Sequence, residues 1–476
     1  MKILFVIHDL GFADHIAIAY LSSITKQLGH STFFCSLDHE ELTTAVARVR
    51  PDVVGYSVNI IGYHKTLAAH KEALKIHKFI SIMGGPHPTF SPETFSESGM
   101  DAYCAGEGEY AFRDFLDCIE HGKAFDGVEN LITNKKRNPL RPLIANLDEL
   151  PMPDRDLVIS NSFLKYVEKK TFYATRGCPF ECSYCCNSYY HELYKGKGPI
   201  VRRFSPERVI REIEDVKKKY RMDFIKFGDD VFAVRADDWL NEFAVKYAKR
   251  IGIPFNCYLR LDTVDDGLLN LLKSAGCFSV HLSVDSTSSH VREVILKRRM
   301  QSENILTNLK KIRDYGINTW VNYMVAAPES SLQDDLDTLR LSRETDVTYA
   351  SYSTTVPIKG TELYNYCVEH KLIDFRNYRG DMSDCMEKSN LLCFTEREKK
   401  IRYNIYLLGA LIAKLPQPFY ALALFLIRVI PPNKLFKKIR SHLHRYYIEN
   451  KIFKIGREKR IFQRQKSLAL SNQNAV

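Results

Sequence analysis

The 476-residue sequence contains only 23 glycines and 18 prolines, too few for a collagen-like or low-complexity chain. No uninterrupted apolar run reaches the roughly 18 residues that a transmembrane helix needs. The apolar run at 2–7 is too short for the core of a signal peptide. The 12 cysteines are not spaced like the pairs of a secreted protein. We therefore expect a globular protein of the reducing cytoplasm, where clustered cysteines indicate a metal site.

Apolar runs alternate with helical patterns through residues 1–130, which we expect to form the first domain. The predicted strands span 2–7, 31–35, 52–57, 79–85 and 101–109. This alternation is typical of an open, doubly wound α/β sheet of the Rossmann or flavodoxin type, in which ligands bind beyond the carboxyl ends of the strands. The loops at that edge are rich in glycine and small polar residues, and they span 8–15, 57–61, 84–89 and 106–109. Four such loops predict a ligand site there.

Two phosphate-binding signatures are missing from the sequence. The loop after the first predicted strand lacks Gly-x-Gly-x-x-Gly, which argues against a dinucleotide. The sequence Gly-x-x-x-x-Gly-Lys followed by Ser or Thr does not occur either, which argues against a phosphate-binding loop.

A second α/β series follows a predicted linker at 131–165. Its predicted strands lie near 171–175, 223–227, 254–260, 277–283, 317–324 and 348–355. Six β/α units in a row predict an incomplete (β/α)6 TIM-like barrel over 166–385, and the polar residues that follow its strands are expected to carry the chemistry. A helical pattern covers the remaining region, 386–476.

The most specific local pattern is RGCPFECSYCC at 176–186. Cys178, Cys182 and Cys185 have the spacing Cys-x-x-x-Cys-x-x-Cys, and three thiolates on one short loop can bind three irons of a 4Fe–4S cluster. The fourth iron is then open to a small molecule. Cys186 adjoins Cys185, so we do not expect it to bind iron. A structural zinc site with His191 as a fourth ligand, or buried cysteines without a metal, are the alternatives.

This cysteine spacing, after the first strand of a β/α barrel, resembles the radical S-adenosylmethionine superfamily over about 165–385. The resemblance implies that the open iron binds the amino and carboxylate groups of S-adenosylmethionine. It also implies that one electron, from a flavodoxin or ferredoxin type of donor, cleaves the sulfonium. The 5′-deoxyadenosyl radical so released takes a hydrogen atom from substrate, and the protein positions the cofactor and excludes water.

Seven further side chains match positions at which this family binds S-adenosylmethionine. By the resemblance, Tyr184 flanks the adenine, and Ser283 or Asp285 holds the ribose. Asp229 and Asp230 are expected to bind the methionine amino group, and Arg260 to pair with the methionine carboxylate. Glu329 belongs to the segment after the fifth strand. Simpler roles remain open for two of them. Arg260 and Asp262 are also candidates for an ion pair inside the barrel, and Asp285 for a helix cap.

The first domain resembles the cobalamin-binding domain that precedes many of these enzymes. The likeness rests on Ser57, on GGPHPTF at 84–90 and on GEGE at 106–109. The order of domains fits the class that contains cobalamin-dependent radical methylases and the anaerobic magnesium-protoporphyrin cyclase. By analogy, Ser57, Gly84 and Gly85 approach the dimethylbenzimidazole tail of cobalamin, with His87 and Thr89 nearby. Glycine permits a close backbone approach to a bulky ligand.

One cobalamin signature is absent. Cobalamin mutases carry Asp-x-His-x-x-Gly, whose histidine binds cobalt, whereas the corresponding loop here reads HDLGFADH. His8 and His15 have the wrong spacing for that pattern. We therefore predict that cobalamin binds within residues 1–130 with no protein histidine on cobalt.

The basic charge is concentrated at the carboxyl-terminal end. From residue 401 the chain carries 15 Lys and Arg but two acids, a net charge of +13, whereas the first 400 residues carry −2. An apolar stretch at 407–432 precedes the basic run 434–464. Together they fit a segment lying on an anionic membrane surface, and we expect 403–464 to make that contact. The alternative is a helical subdomain on the barrel with a solvated basic face. Nucleic acid fits less well, because long aliphatic runs interrupt the charge.

The sequence as a whole predicts a cytoplasmic enzyme, peripheral on the inner face of the membrane, that contains a 4Fe–4S cluster, S-adenosylmethionine and cobalamin. The predicted reaction is methylation of an unactivated carbon of a small hydrophobic or lipid-like substrate, with methylcobalamin as the methyl donor. The enzymatic alternative is radical cyclisation, rearrangement or oxidation without methyl transfer. The non-enzymatic alternative is a metal- or cobalamin-binding sensor.

Overall fold

The computed structural model describes residues 1–11, 14–376, 378 and 382–455, and these form two compact units. Unit 1 comprises Met1–Tyr166 with Tyr194–Pro199, and unit 2 comprises Val167–Leu193 with Ile200–Val476, described as far as residue 455. The finer division into four regions stays a prediction.

Unit 1 is built on a six-stranded sheet with a buried centre. Its strands are β1 (Lys2–Ile7), β2 (Ser31–Ser36), β3 (Val53–Ser57), β4 (Ile80–Gly84), β5 (Ala102–Cys104) and β6 (Leu131–Ile132). Their order is β2-β1-β3-β4-β5-β6, with the first five parallel and β6 antiparallel to β5. This confirms the predicted doubly wound α/β fold. The strand order reverses between β1 and β3, which is where such sheets bind ligands.

The helices of unit 1 pack on this sheet and connect its strands. They are α1 (Ile16–Gln27), α2 (Leu42–Val49), α3 (Tyr63–Ile76), α4 (Pro86–Phe90), α5 (Phe95–Ser98), α6 (Glu109–Glu120) and α7 (Arg155–Ile159). The amphipathic helix α6 shows why they form: Ala111, Phe112, Phe115 and Leu116 are buried at helical spacing.

Unit 2 contains the predicted barrel-like sheet. Its strands are β7 (Lys169–Phe172), β8 (Thr175–Arg176), β9 (Arg202–Arg203), β10 (Phe224–Phe227), β11 (Phe255–Tyr258), β12 (Cys277–Asp285), β13 (Asn318–Val325) and β14 (Tyr349–Thr354). Six of them pair in parallel in the order β14-β13-β12-β11-β10-β7, and β8 and β9 form a separate antiparallel pair. This confirms the incomplete six-stranded α/β barrel.

Helices follow the strands of unit 2 and then form its carboxyl-terminal region. They are α8 (Cys186–Leu193), α9 (Pro206–Lys219), α10 (Asp238–Arg250), α11 (Asp266–Ala275), α12 (Ser302–Asp314), α13 (Leu332–Glu344), α14 (Glu362–Glu369), α15 (Glu396–Ile412), α16 (Phe419–Val429) and α17 (Lys434–Tyr447). The predicted helical carboxyl-terminal region is confirmed as far as residue 455. Within the described ranges, every helix is too short or too polar to span a bilayer.

Strand alternation divides the side chains of the barrel between two faces. Phe227 and Phe255 point toward the surrounding helices, where they contact Phe243 and Tyr247 of α10. Their neighbours along the strands, including Lys226 and Tyr258, therefore point to the opposite, inner face. The inner face lies between the six strands and is the lumen of the barrel.

Candidate active site

The cysteine loop begins where β8 ends. Gly177 has φ 83°, a conformation that favours glycine, and a Cβ at this position would collide with the carbonyl oxygen of Ile200. The chain can therefore turn sharply just before Cys178. Cys178 and Cys182 are buried and Cys185 is partly exposed.

Hydrogen bonds to neighbouring segments fix the loop in place. Ser183 donates through its amide to the carbonyl of Leu296 (3.0 Å) and through its hydroxyl to that of Ile295 (2.6 Å). The Nε2 atom of His191 lies 2.7 Å from the carbonyl oxygen of Cys178, so that it serves as a donor to the loop backbone. This contact gives His191 a structural role, and its role as a zinc ligand stays an alternative.

The three predicted iron-binding thiols lie close enough to influence one another. The pKa of Cys178 is raised to about 12, mainly by burial and to a smaller extent by the charges of Asp230, Cys185 and Cys182, while a backbone hydrogen bond from Phe180 opposes the rise. Cys186 donates a hydrogen bond to Cys185, which lowers the pKa of Cys185 to about 7. No three Cys, His, Asp or Glu side chains converge on a single ion within the described ranges. A 4Fe–4S cluster takes one thiolate per iron, so its ligands need no such convergence.

Two guanidinium groups flank the Cys182 sulfur, a feature that the sequence did not predict. Nη1 of Arg260 lies 3.6 Å and Nη1 of Arg298 lies 3.9 Å from Cys182 Sγ. Burial raises the pKa of Cys182, and these two positive charges oppose that effect by favouring the thiolate, the form that binds iron. The donor set and its electrostatic surroundings therefore fit a 4Fe–4S cluster.

Arg298 also joins three of the residues predicted to bind S-adenosylmethionine. Its Nε lies 3.0 Å from Asp285 Oδ2, and its Nη2 donates to the carbonyl of Ser283 at 2.7 Å. The Tyr184 hydroxyl donates to the same Asp285 oxygen at 2.6 Å. The structure thus brings Tyr184, Ser283 and Asp285 together. The Asp285 carboxylate is used in this network instead of capping a helix.

Arg260 contacts both Asp262 and the cysteine loop. Its Nε donates to Asp262 Oδ1 at 2.7 Å, which is the ion pair of the simpler interpretation. The guanidinium also stacks at 3.9 Å on the ring of Phe180, inside the cysteine loop. A cavity of about 650 Å³ opens beside it and is also lined by Lys297 and Arg299. Pockets of this volume accommodate ligands of the size of a nucleoside cofactor. The pairing with the methionine carboxylate stays a prediction.

The two adjacent aspartates after β10 have different surroundings. Asp229 is 2% exposed, and its Oδ1 accepts hydrogen bonds from the amides of Ala174 (2.8 Å) and Thr175 (2.5 Å). It therefore holds the segment that leads into the cysteine loop, and burial raises its pKa to about 7. Among the described residues, its Oδ2 has no hydrogen-bond partner. Asp230 instead acts on the thiols, since its charge raises the pKa of Cys178. Amine binding by this pair stays a prediction.

Glu329 stands apart from the other predicted residues. Its side chain is 45% exposed, its φ is 63°, and its carboxylate lies 2.6 Å from Nε2 of His290 and accepts from the Tyr366 hydroxyl. Neither partner belongs to the predicted site. The role of Glu329 toward S-adenosylmethionine stays a prediction without a contact to support it.

In unit 1, three predicted cobalamin residues lie at one edge of the sheet. Ser57 ends β3 in register with Gly84, the last residue of β4, and with Ile7 at the end of β1. Gly85 has φ 101°, and a Cβ there would lie 2.9 Å from the Val58 carbonyl oxygen. Only a residue without a side chain fits this turn, because the backbone of Val58 approaches it closely. The close approach explains the glycine at this position, and contact of the edge with cobalamin stays a prediction.

His87 and Thr89 lie beneath this edge. His87 is 4% exposed, stacks at 3.8 Å on Tyr63, and has its Nε2 3.0 Å from the Thr94 hydroxyl. The Thr89 hydroxyl donates to the carbonyl of Gly85 and accepts from the amide of Gly106. The Thr89 side chain thus joins the two glycine loops, whereas that of His87 packs against Tyr63 and Thr94. Direct contact of either side chain with cobalamin stays a prediction.

Two family models match the chain. The model of the radical SAM superfamily matches residues 172–341, and the model of the B12 binding domain matches residues 4–116. The first covers the cysteine loop and the network around Asp285, and the second covers the edge formed by Ser57 and Gly84.

Similar proteins are known by sequence and by structure. An uncharacterized methyltransferase of Pyrococcus horikoshii is 27% identical over 76% of this chain and 80% of its own length. The hopanoid C-3 methylase of Methylococcus capsulatus is 24% identical over 77% and 70%. The radical S-adenosylmethionine methyltransferase TsrM of Kitasatospora setae, solved with cobalamin and a 4Fe–4S cluster bound, is 15% identical. It covers 78% of each chain with a TM-score of 0.65, a likeness of fold.

Proposed function

Because the chain belongs to the radical S-adenosylmethionine enzymes that carry a cobalamin-binding domain, we propose that it methylates an unactivated carbon of a hydrophobic substrate. The family assignment makes the chain an enzyme, which sets aside the sensor hypothesis. The observation that carries the proposal is the combination of two sites. One unit holds three thiols with two guanidinium groups beside Cys182, and the other holds a glycine-lined sheet edge of the B12 binding type.

The residues of the two predicted sites are chemically suited to the three cofactors. Cys178, Cys182 and Cys185 would hold the 4Fe–4S cluster, the network of Tyr184 and Asp285 would face S-adenosylmethionine, and the edge at Ser57 and Gly84 would face cobalamin. When bound, these cofactors supply a hydrogen-abstracting radical and a methyl group. Arg260 and Arg298 would offset the negative charge of the thiolate-bound cluster, and Asp229 would keep the loop in position.

The hydrophobic character of the substrate is supported by the carboxyl-terminal helices. On α16, Phe419, Leu422, Phe425 and Val429 recur every three to four residues, and each is more than half exposed. Basic residues follow in α17, none of whose side chains is buried. An exposed apolar stripe followed in sequence by clustered bases is suited to an anionic membrane surface, where an apolar substrate would be found.

The carboxyl-terminal helices contain features of both the helical cap and the membrane segment. The helix α15 packs against β14 and α13, as a cap on the barrel would, whereas α16 leaves its apolar stripe exposed. The predicted membrane segment 403–464 is described only to residue 455, and its last part lies outside the described residues.

A mass comparison tests the proposed reaction. The full-length protein, reconstituted without oxygen with iron, sulfide and cobalamin, is incubated with S-adenosylmethionine, a reductant and an extract of cells that lack the protein. Methylation predicts a metabolite that gains one methyl group in a protein-dependent manner. A metabolite that instead gains unsaturation or a ring would support the cyclisation or oxidation alternative and refute methylation.

A further inference from the structure

The barrel lumen has a continuous polar and aromatic wall. Lys226 on β10 points inward between Ile225 and Phe227, which are fully buried on the helix-facing side. Its ammonium nitrogen lies 5.2 Å from the centroid of the Tyr258 ring. Tyr258 in turn lies 4.4 Å from the ring of His281 on the next strand. The wall therefore begins with a cation and continues across neighbouring strands.

The same wall extends to the far strands of the sheet. The His281 ring stacks on Trp320 at 3.9 Å with an interplanar angle of 8°, and Trp320 Nε1 donates to the Ser351 hydroxyl at 2.8 Å. The Ser351 hydroxyl donates to Asn322. Lys226, Tyr258, Trp320 and Asn322 are all partly accessible although they lie on the inner face of the sheet. The four side chains are therefore not fully enclosed by protein, although the ring of Phe453 lies 6.2 Å from that of Trp320.

Lys226 carries a positive charge with no anion to neutralise it in the described part of the chain. The described residues include no hydrogen-bond or ion-pair partner of its ammonium group, although burial lowers its pKa. The neighbouring His281 is neutral, because burial and the Lys226 charge lower its pKa to about 3. At the Tyr258 end of this wall the charge of Asp230 acts on the tyrosine and contributes to raising its pKa. Buried charges in proteins are normally paired, so an inward-facing cation that has the Tyr258 ring but no acid beside it in the described residues indicates a ligand that supplies an anion.

We propose that Lys226 binds an anionic group of the substrate, a carboxylate or a phosphate, inside the barrel lumen. This inference rests on the proposed function and narrows it: the substrate is amphiphilic. Its apolar part would lie against the rings of Tyr258 and Trp320, and its acid group would reach the ammonium of Lys226. A carboxylate or phosphate would accept a charge-assisted hydrogen bond from the lysine ammonium. Loss of such a bond weakens binding more than loss of a hydrogen bond between neutral groups.

Isotope labelling of a fractionated extract tests this inference. An extract of cells that lack the protein is separated by anion exchange into a retained, acidic fraction and an unretained fraction. Each is incubated with the reconstituted full-length enzyme and S-adenosylmethionine that carries a deuterated methyl group. We expect the label in an acid of the retained fraction. Phosphatase treatment of that fraction beforehand removes the labelled product if the anion is a phosphate monoester and leaves it if the anion is a carboxylate.

Three variants test whether labelling of the acid depends on Lys226. Lys226→Met should lower the yield of labelled acid at limiting substrate by about 10- to 100-fold, the effect of losing a hydrogen bond to a charged group. Lys226→Arg should retain most of it. The matched control is Lys249→Met, on the exposed side of α10. Cluster absorbance, cobalamin content and substrate-free release of 5′-deoxyadenosine should be unchanged in all three, which shows that the variants are folded and bind the cofactors.

The outcomes separate this inference from the proposed function. Label confined to the unretained fraction, or equal yields from Lys226→Met and the wild type, would overturn the anion site and leave methylation standing. Loss of substrate-free 5′-deoxyadenosine release in Lys226→Met would overturn it too, because Lys226 would then bind the carboxylate of S-adenosylmethionine. An acid that changes mass without taking up label, in a Lys226-dependent manner, would support the site and refute methylation. No change in any metabolite would refute both.

Discussion

If α16 contacts a membrane, the loss of vesicle binding on mutation can be estimated from three exposed side chains. Phe419, Leu422 and Phe425 are exposed by 58%, 54% and 59%. Full burial of such a side chain is worth about 1.5–3 kcal/mol, so burying the exposed half of each contributes about 1 kcal/mol. Replacing all three by serine should therefore weaken binding to vesicles by about 3 kcal/mol, or about 100-fold.

Charge provides a second, separable contribution. Lys434, Lys437 and Lys438 lie in α17, the helix that follows α16 in sequence. Bases near an anionic bilayer contribute about 1 kcal/mol each, and salt screens this term. The triple glutamine variant should therefore lose binding at low salt, whereas the remainder left by the apolar stripe should resist salt.

Flotation with anionic and neutral vesicles measures both contributions. The matched control is Val245→Ser, since Val245 is 63% exposed but lies on α10. The reasoning is refuted if the triple serine variant floats with anionic vesicles as well as the wild type does. If the wild type itself does not float, the helical-cap alternative with a solvated basic face stands in place of membrane contact.

Further predictions concern the cobalamin edge, the cysteine loop and the barrel. Spectra of cob(II)alamin bound to the protein should show no hyperfine coupling from a nitrogen of a protein ligand. The reason is that the His8 ring packs against Gly62, and His15 Nε2 lies 3.0 Å from the Leu10 carbonyl oxygen. Coupling that disappears in His8→Ala or His15→Ala would contradict this prediction. Asp229→Ala should reduce the iron content of reconstituted protein by removing the acceptor for the Ala174 and Thr175 amides, and iron content equal to that of the wild type would show that the loop does not depend on it. Arg402→Met should lower the free energy of unfolding by about 3–5 kcal/mol, and with it the melting temperature, because it leaves Asp335 buried without its 2.6 Å ion pair. The control is Arg340→Met, at an exposed position. Equal melting temperatures of the two variants would argue against a stabilising role of the pair.

The order and type of the strands could be predicted because they depend on local patterns. Buried parallel strands such as β1 and β10 are short apolar runs bounded by polar loops, and their pairing follows from the alternation with helices. The prediction of a strand at 101–109 was too long. The loop at Gly106–Gly108 ends β5 after three residues, and Tyr194 fills the space beside Gly106. The strand β6 was not predicted, because two residues carry no pattern.

The site was less predictable because its contacts join distant parts of the chain. Arg298 lies 116 residues from Cys182 in sequence, yet its guanidinium approaches the thiol at 3.9 Å. The only sequence signal was a run of three bases at 297–299, which by itself is typical of a solvated surface. Asp229 and Asp230 could not be distinguished in sequence either, because strand geometry turns one toward the backbone of Thr175 and the other toward the thiols.

The central claim is that Cys178, Cys182 and Cys185 hold a 4Fe–4S cluster that cleaves S-adenosylmethionine. The most direct test is to measure iron content and 5′-deoxyadenosine release in reconstituted wild type, Cys182→Ala and Cys186→Ala. Cys182→Ala should lose both signals, whereas Cys186→Ala should keep both. Release of 5′-deoxyadenosine by Cys182→Ala at the wild-type rate would contradict the claim, and loss of iron from a folded Cys186→Ala would show that the ligand set is wrong.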